Sequence, residues 1–85
     1  MNESEIIERA EALPDRFADR LPAQTLDSLR LMEAGGEYGE LAIELAASLA
    51  ARSVPVTPAE RDELAALLAA MGMPADPIAQ LNVQS

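Results

Sequence analysis

Apolar residues along this chain recur at spacings of three and four, and no stretch alternates convincingly at two. That spacing stacks side chains on one face of a helix, so helices are expected almost throughout. Asn2 with Glu5 three residues later is a capping-box-like start, and Glu3, Glu5 and Glu8 suit the positive end of a helix. Ile6, Ala10 and Leu13 form its stripe. Pro14 disfavours the helical conformation at Leu13, which predicts a break or kink there. A second short helix would then begin at Pro14 and carry Phe17 and Leu21 inward. The stripe continues in phase through Pro14, so a single kinked helix is the alternative.

After Pro22, Thr25 is placed to cap a helix holding Leu26, Leu29 and Met32, stopped by Gly35 and Gly36. A connection this short forces an antiparallel hairpin with the next helix, which begins near Glu37 and ends around Arg52. Val54-Pro55-Val56 is an extended connector. Thr57-Pro58-Ala59-Glu60 is a strong helix start, with a capping threonine, proline at the first position and glutamate at the third. Leu64, Leu67, Leu68 and Met71 form the buried face of that helix, and Gly72 followed by Pro74 ends it. Asp76-Pro77 starts one last turn carrying Ile78 and Leu81. The pattern predicts an all-α, single-domain bundle of four main helices plus a short C-terminal helical turn. Residues 1–2 and 83–85 are expected to be frayed ends.

Composition narrows the function. With 85 residues the chain supports one core and no more. Cysteine, histidine and tryptophan are absent, which leaves no imidazole or thiolate for a metal, haem or nucleophilic site. Fifteen acidic residues against six arginines give a net charge of −9. Such a surface repels phosphate backbones and anionic lipid, and Phe17 and Tyr38 are too few for a base-stacking platform, so neither nucleic acid nor membrane is an expected partner. A basic protein partner would be attracted and steered into contact. With no apolar run long enough for a membrane span and no basic-then-apolar leader, the cytoplasm is the expected location.

Candidate catalytic groups are poor. Ser28, Ser48 and Ser53 have no histidine or lysine to act as base. Glu37, Glu40 and Glu44 are spaced by three and four on one helix face, where a solvated face is the simpler reading than a magnesium site. No catalysis, metal or cofactor is therefore expected. Asp27-Ser28-Leu29 resembles the attachment site of acyl carrier proteins, in which the serine carries phosphopantetheine. The surroundings differ: a helix-forming stretch fills the place of the long carrier loop, and Gly35-Gly36 cuts the following helix short.

A second resemblance covers roughly residues 21 to 73. Glu33-Ala34-Gly35-Gly36-Glu37-Tyr38-Gly39, with Leu41-Ala42 and Glu44-Leu45, resembles the Gly-Glu-aromatic-Gly core of MafI-type immunity proteins. Val54-Pro55-Val56-Thr57, Glu60, Leu64 and Met71-Gly72 are similar to that family's second half. Glu40 stands where these proteins often have an apolar residue, and the glycine before Glu37 is doubled. The resemblance implies an all-helical antidote that binds and neutralises a cognate bacterial toxin. A helical regulatory or scaffold module, acting through protein contacts or as a homodimer, is the alternative; a monomer is the first expectation.

The same motif has a physical reading. Gly35 and Gly36 permit the positive φ values of a tight reversal, Glu37 complements the next helix dipole, and Gly39 lets another backbone approach. Tyr38 shares a face with Leu41, Leu45 and Leu49, which makes Tyr38 and Gly39 structural. At 100° per residue, Glu37, Glu40 and Glu44 fall on the far side, with Ile43 between that acidic arc and an alanine-lined flank. Ile43 is thus either an apolar anchor rimmed by carboxylates or a residue packed under the N-terminal segment. Acidity is concentrated with the motif: residues 1–44 hold eleven acidic and four basic residues, residues 45–85 four and two.

Overall fold

Caps and breakers set the element boundaries in the computed structural model, which describes residues 1–85. Asn2 Oδ1 accepts a hydrogen bond from Glu5 N at 2.8 Å and starts α1, Glu3–Phe17. Pro14 lies inside this helix and does not end it. The expected break is absent, and a single helix through Pro14, as in the alternative reading of the stripe, is the one adopted. Pro14 is fully buried beside Leu13 and Phe17, and burial in phase with the stripe offsets the hydrogen bond the ring removes. A 3₁₀ turn, Ala18–Arg20, follows.

Helix α2 runs Ala23–Ala34. Its N-cap is Pro22, in an extended conformation, and Thr25 lies one turn inside, so the expected threonine cap is not used. Ala23 and Gln24 are good helix formers and carry the helix back to the proline, whose carbonyl accepts from Leu26 N at 3.0 Å. Helix α3, Tyr38–Ala51, returns alongside α2. Thr57 starts α4, Pro58–Ala70: its hydroxyl accepts from Glu60 N at 3.1 Å, and the Glu60 carboxylate accepts from Thr57 N at 2.9 Å.

All three internal helices close with the same hydrogen-bond pattern. After α2, Gly36 N donates to Glu33 O and Glu37 N to Met32 O, a Schellman closure around Gly36 at φ 72°. Gly72, at φ 68°, does the same after α4. After α3 the left-handed position is Ser53, at φ 51°, with Val54 N donating to Leu49 O.

The core takes Leu13 and Phe17 from α1, Leu29 from α2, Leu41, Leu45 and Leu49 from α3, and Leu64, Leu67 and Leu68 from α4. Helix α3 is central, touching the other three helices and the C-terminal 3₁₀ segment, Asp76–Gln80. Ala42 and Ala46 are fully buried on it, where small side chains let its neighbours come close. This is an all-α domain of four helices with one short C-terminal helical segment.

The C-terminus departs from expectation. Strand β1, Pro55–Val56, pairs in parallel with β2, Asn82–Val83, in the register Pro55 to Asn82 and Val56 to Val83. Gln84 N donates to Val56 O at 2.8 Å, and Asn82 Nδ2 to Ser53 O at 3.0 Å. The segment expected to fray from residue 83 is therefore held for two residues. Extended Val56 offers backbone groups that the tail satisfies, while Val56 and Leu81 bury apolar side chains beneath the pair.

Candidate protein-binding surface

The α2–α3 hairpin positions most of the residues singled out from the sequence. Gly35 and Gly36 have different roles. Only Gly36 is left-handed; Gly35 closes the helix at φ −85°, and a Cβ there would meet Glu37 Oε1 at 3.1 Å. The expectation of positive φ at both is corrected, because the Schellman closure needs one such residue. Glu37 is the N-cap of α3 without a side-chain cap bond, and its carboxylate turns back over Gly35.

Tyr38 is half-buried at the edge of the bundle and outside the core cluster, where the sequence had placed it in the core stripe. Its hydroxyl donates to Glu11 Oε2 at 3.1 Å, tying the start of α3 to α1. Partial burial raises the Tyr38 pKa above its ordinary value, and the hydrogen bond to Glu11 and the charges of Glu11 and Glu33 push the same way. A polar hydroxyl cannot go where Leu41 goes unless a partner follows it, so the ring stops at the rim. Gly39 has a close neighbour, but it is a side chain and not the backbone expected: a Cβ there would lie 3.0 Å from Met73 Sδ.

Glu37, Glu40 and Glu44 are all exposed. Glu44 Oε1 accepts from Ser48 Oγ at 3.5 Å, and no three carboxylates come together as a metal-holding group. Ile43 is half-buried and packed against the core cluster, so it is not a free-standing anchor. Ser28 is exposed on the second turn of α2, with its hydroxyl donating to Gln24 O at 3.2 Å. It thus lies within a helix, not at the loop-to-helix junction of the carrier resemblance.

Ion pairs are unevenly distributed: α1 is mixed, with Glu5 and Asp15 paired and Glu3, Glu8 and Glu11 unpaired, while α4 and the α2–α3 hairpin are the two extremes. Every carboxylate of α4 has an arginine: Glu60 with Arg20, Asp62 with Arg61, and Glu63 with Arg9 at 3.2 Å. None of Asp27, Glu33, Glu37, Glu40 and Glu44, the carboxylates of α2, the hairpin and α3, has one. Arg30, the one arginine on α2, reaches instead to Asp15 of α1 at 2.9 Å.

Two features were not read from the sequence. Arg20 grips Glu60 through both oxygens, at 2.9 and 2.6 Å, donates to Pro55 O at 3.3 Å, and lies 4.5 Å above the centre of the Phe17 ring. The hydrogen bonds from Arg20 hold the Glu60 carboxyl at about 2, against an ordinary 4.5. Arg20 is thus committed to contacts within the fold. The second feature is Leu31, which is 74% exposed. The signal for it was present, since a residue two positions beyond buried Leu29 falls about 200° around the helix.

No helix of the chain is long and apolar enough to cross a membrane. Compared with protein-family models, with curated proteins and with solved structures, the chain gives no match.

Proposed function

We propose that this chain is a cytoplasmic immunity protein of the MafI type, which binds a basic protein toxin and neutralises it by occluding its active site or substrate groove. A nuclease fits best, because a groove that holds a phosphate backbone is itself basic. The observation that carries the reading is the one-sided pairing of charge. Carboxylates on α4 are paired with arginines, while those of α2, the hairpin and α3 have none, and all of these but half-buried Glu33 are exposed. Unpaired acidity on the half of the chain that also carries the Gly-Glu-aromatic-Gly motif supplies the field a basic partner would follow.

The test is to search the neighbouring reading frames for a secreted protein with a variable C-terminal domain and to co-express that domain with this chain, scored by growth and by binding kinetics. The wild type should restore growth. Glu40→Lys with Glu44→Lys should fold normally but associate about tenfold more slowly at low salt, since rim charges act mainly on association. Ile43→Asp is unsuited to this assay, because Ile43 packs against the core and its loss would act through stability. Absence of both rescue and binding would overturn the reading. The carrier alternative makes a separate prediction: a phosphopantetheinyl transferase should add its group to Ser28. We expect the intact mass to stay unchanged.

A further inference from the structure

The outer face of α2 presents an apolar side chain between two free carboxylates. Leu31 is 74% exposed; the one other exposed large apolar residue is Met1 at the terminus, at 48%. The helix phase that buries Leu29 puts Leu31 outside, so the exposure follows from the helix itself. Its neighbours on that stripe, Asp27, Ser28, Ala34 and Gly35, are all exposed and short, which leaves Leu31 as a ridge.

Asp27 lies one turn before Leu31. On the other side, a Cβ on Gly35 would have Glu37 Oε1 at 3.1 Å and the Leu31 carbonyl oxygen at 3.5 Å, so the Glu37 carboxylate sits next to the end of this stripe. Neither Asp27 nor Glu37 has an ion-pair partner in the chain. From Asp27 to Gly35 the helix rises about 12 Å, with Leu31 midway.

We propose that this face of α2 is a docking surface for a basic protein segment, whose apolar side chain seats beside Leu31 while flanking lysine or arginine side chains meet Asp27 and Glu37. Charge selects this occupant. A second copy of the chain would bring another net charge of −9 against the same unpaired carboxylates, whereas a cationic segment neutralises them. The inference rests on the reading of the chain as a binder of a basic protein, and moves the centre of contact from Glu40 and Glu44 on α3 to Leu31 on α2.

The probe is an amidated helical peptide with a central leucine and lysines four residues to either side, titrated into the isotopically labelled full chain. Backbone resonances of Ser28, Leu31, Ala34 and Gly35 should move most. Leu31→Ser, at an exposed position, should melt like the wild type and bind the peptide about tenfold more weakly, the scale of one buried leucine. Asp27→Asn with Glu37→Gln should flatten the salt dependence of binding. Shifts centred on Glu40 and Glu44, unchanged affinity in Leu31→Ser, or no peptide binding would each overturn the proposal. So would Leu31-dependent self-association in sedimentation without peptide, which would assign the face to a second copy. If the toxin assay fails while the peptide still binds through Leu31, the toxin reading falls and the docking surface stands.

Discussion

A left-handed residue ends each of α2, α3 and α4, yet only two of the three are glycine. Ser53 at φ 51° carries a Cβ where L-residues incur a penalty of about 1 kcal/mol or more. Ser53→Gly should therefore stabilise the fold by about 0.5–1 kcal/mol, reduced by the extra freedom glycine has when unfolded. At the hairpin the two glycines should separate in the same measurement. Gly36→Ala should cost about 1–2 kcal/mol, because φ 72° is unfavourable for any side chain. Gly35→Ala should cost little, since the crowding atom is the end of the flexible Glu37 side chain. Equal losses at both in urea unfolding would refute the assignment. The sequence announced a reversal through its glycine pair, but which one turns left-handed depends on where the last hydrogen bond of α2 closes. Ser53 gave no signal of its own, as serine does not advertise positive φ.

Between elements, the shortest ion pair in the chain joins residues forty apart. Arg20 on the 3₁₀ turn holds Glu60 in the first turn of α4, and the Thr57 capping box holds the same carboxylate from the other side. The capping box could be read from four consecutive residues; the arginine could not, because nothing local brings position 20 to position 60. The depressed Glu60 carboxyl gives this link a pH signature. Its contribution is complete above about 4.5, the ordinary value, and is lost progressively as pH falls towards about 2. Glu60→Gln keeps an oxygen for Thr57 N but not the ion pair. It should cost about 1.5–3 kcal/mol at neutral pH, the range of charged hydrogen bonds, and lose less further stability than wild type between those two pH values. Parallel acid-unfolding curves for the two proteins would refute this. The β1–β2 pair was hidden for the same reason: a polar tail reads as loose until Val56, far back in the chain, is seen to accept from Gln84. Removing residues 82–85 should lower the melting temperature by uncovering that strand and the edge of Val56.

Across the molecule, four helices and an excess of acid in the first half were legible, because periodicity and charge counts are local sums. The segregation of paired from unpaired carboxylates was not, since it depends on which arginine each fold contact delivers. Arg9 reaches across to Glu63 of α4, and Arg30 turns away from the hairpin to Asp15. Folding therefore leaves α4 paired and leaves unpaired carboxylates on α2 and α3, beside Glu3, Glu8 and Glu11 of α1, and their repulsion makes stability a function of salt. As ionic strength rises from 0.01 M to 0.15 M, the screening length falls from about 30 Å to about 8 Å, so like charges on neighbouring turns and helices repel less. The melting temperature should climb over this range. Neutralising the unpaired side with Glu40→Gln and Glu44→Gln should raise it at low salt and shrink the climb. Neutralising a paired carboxylate with Glu63→Gln removes the contact to Arg9 and should lower it, if only slightly, because both side chains are partly solvated. The opposite signs of those two changes, read by thermal unfolding at low salt, distinguish a surface left charged for a partner from one whose acids all serve the fold; equal signs would refute the division.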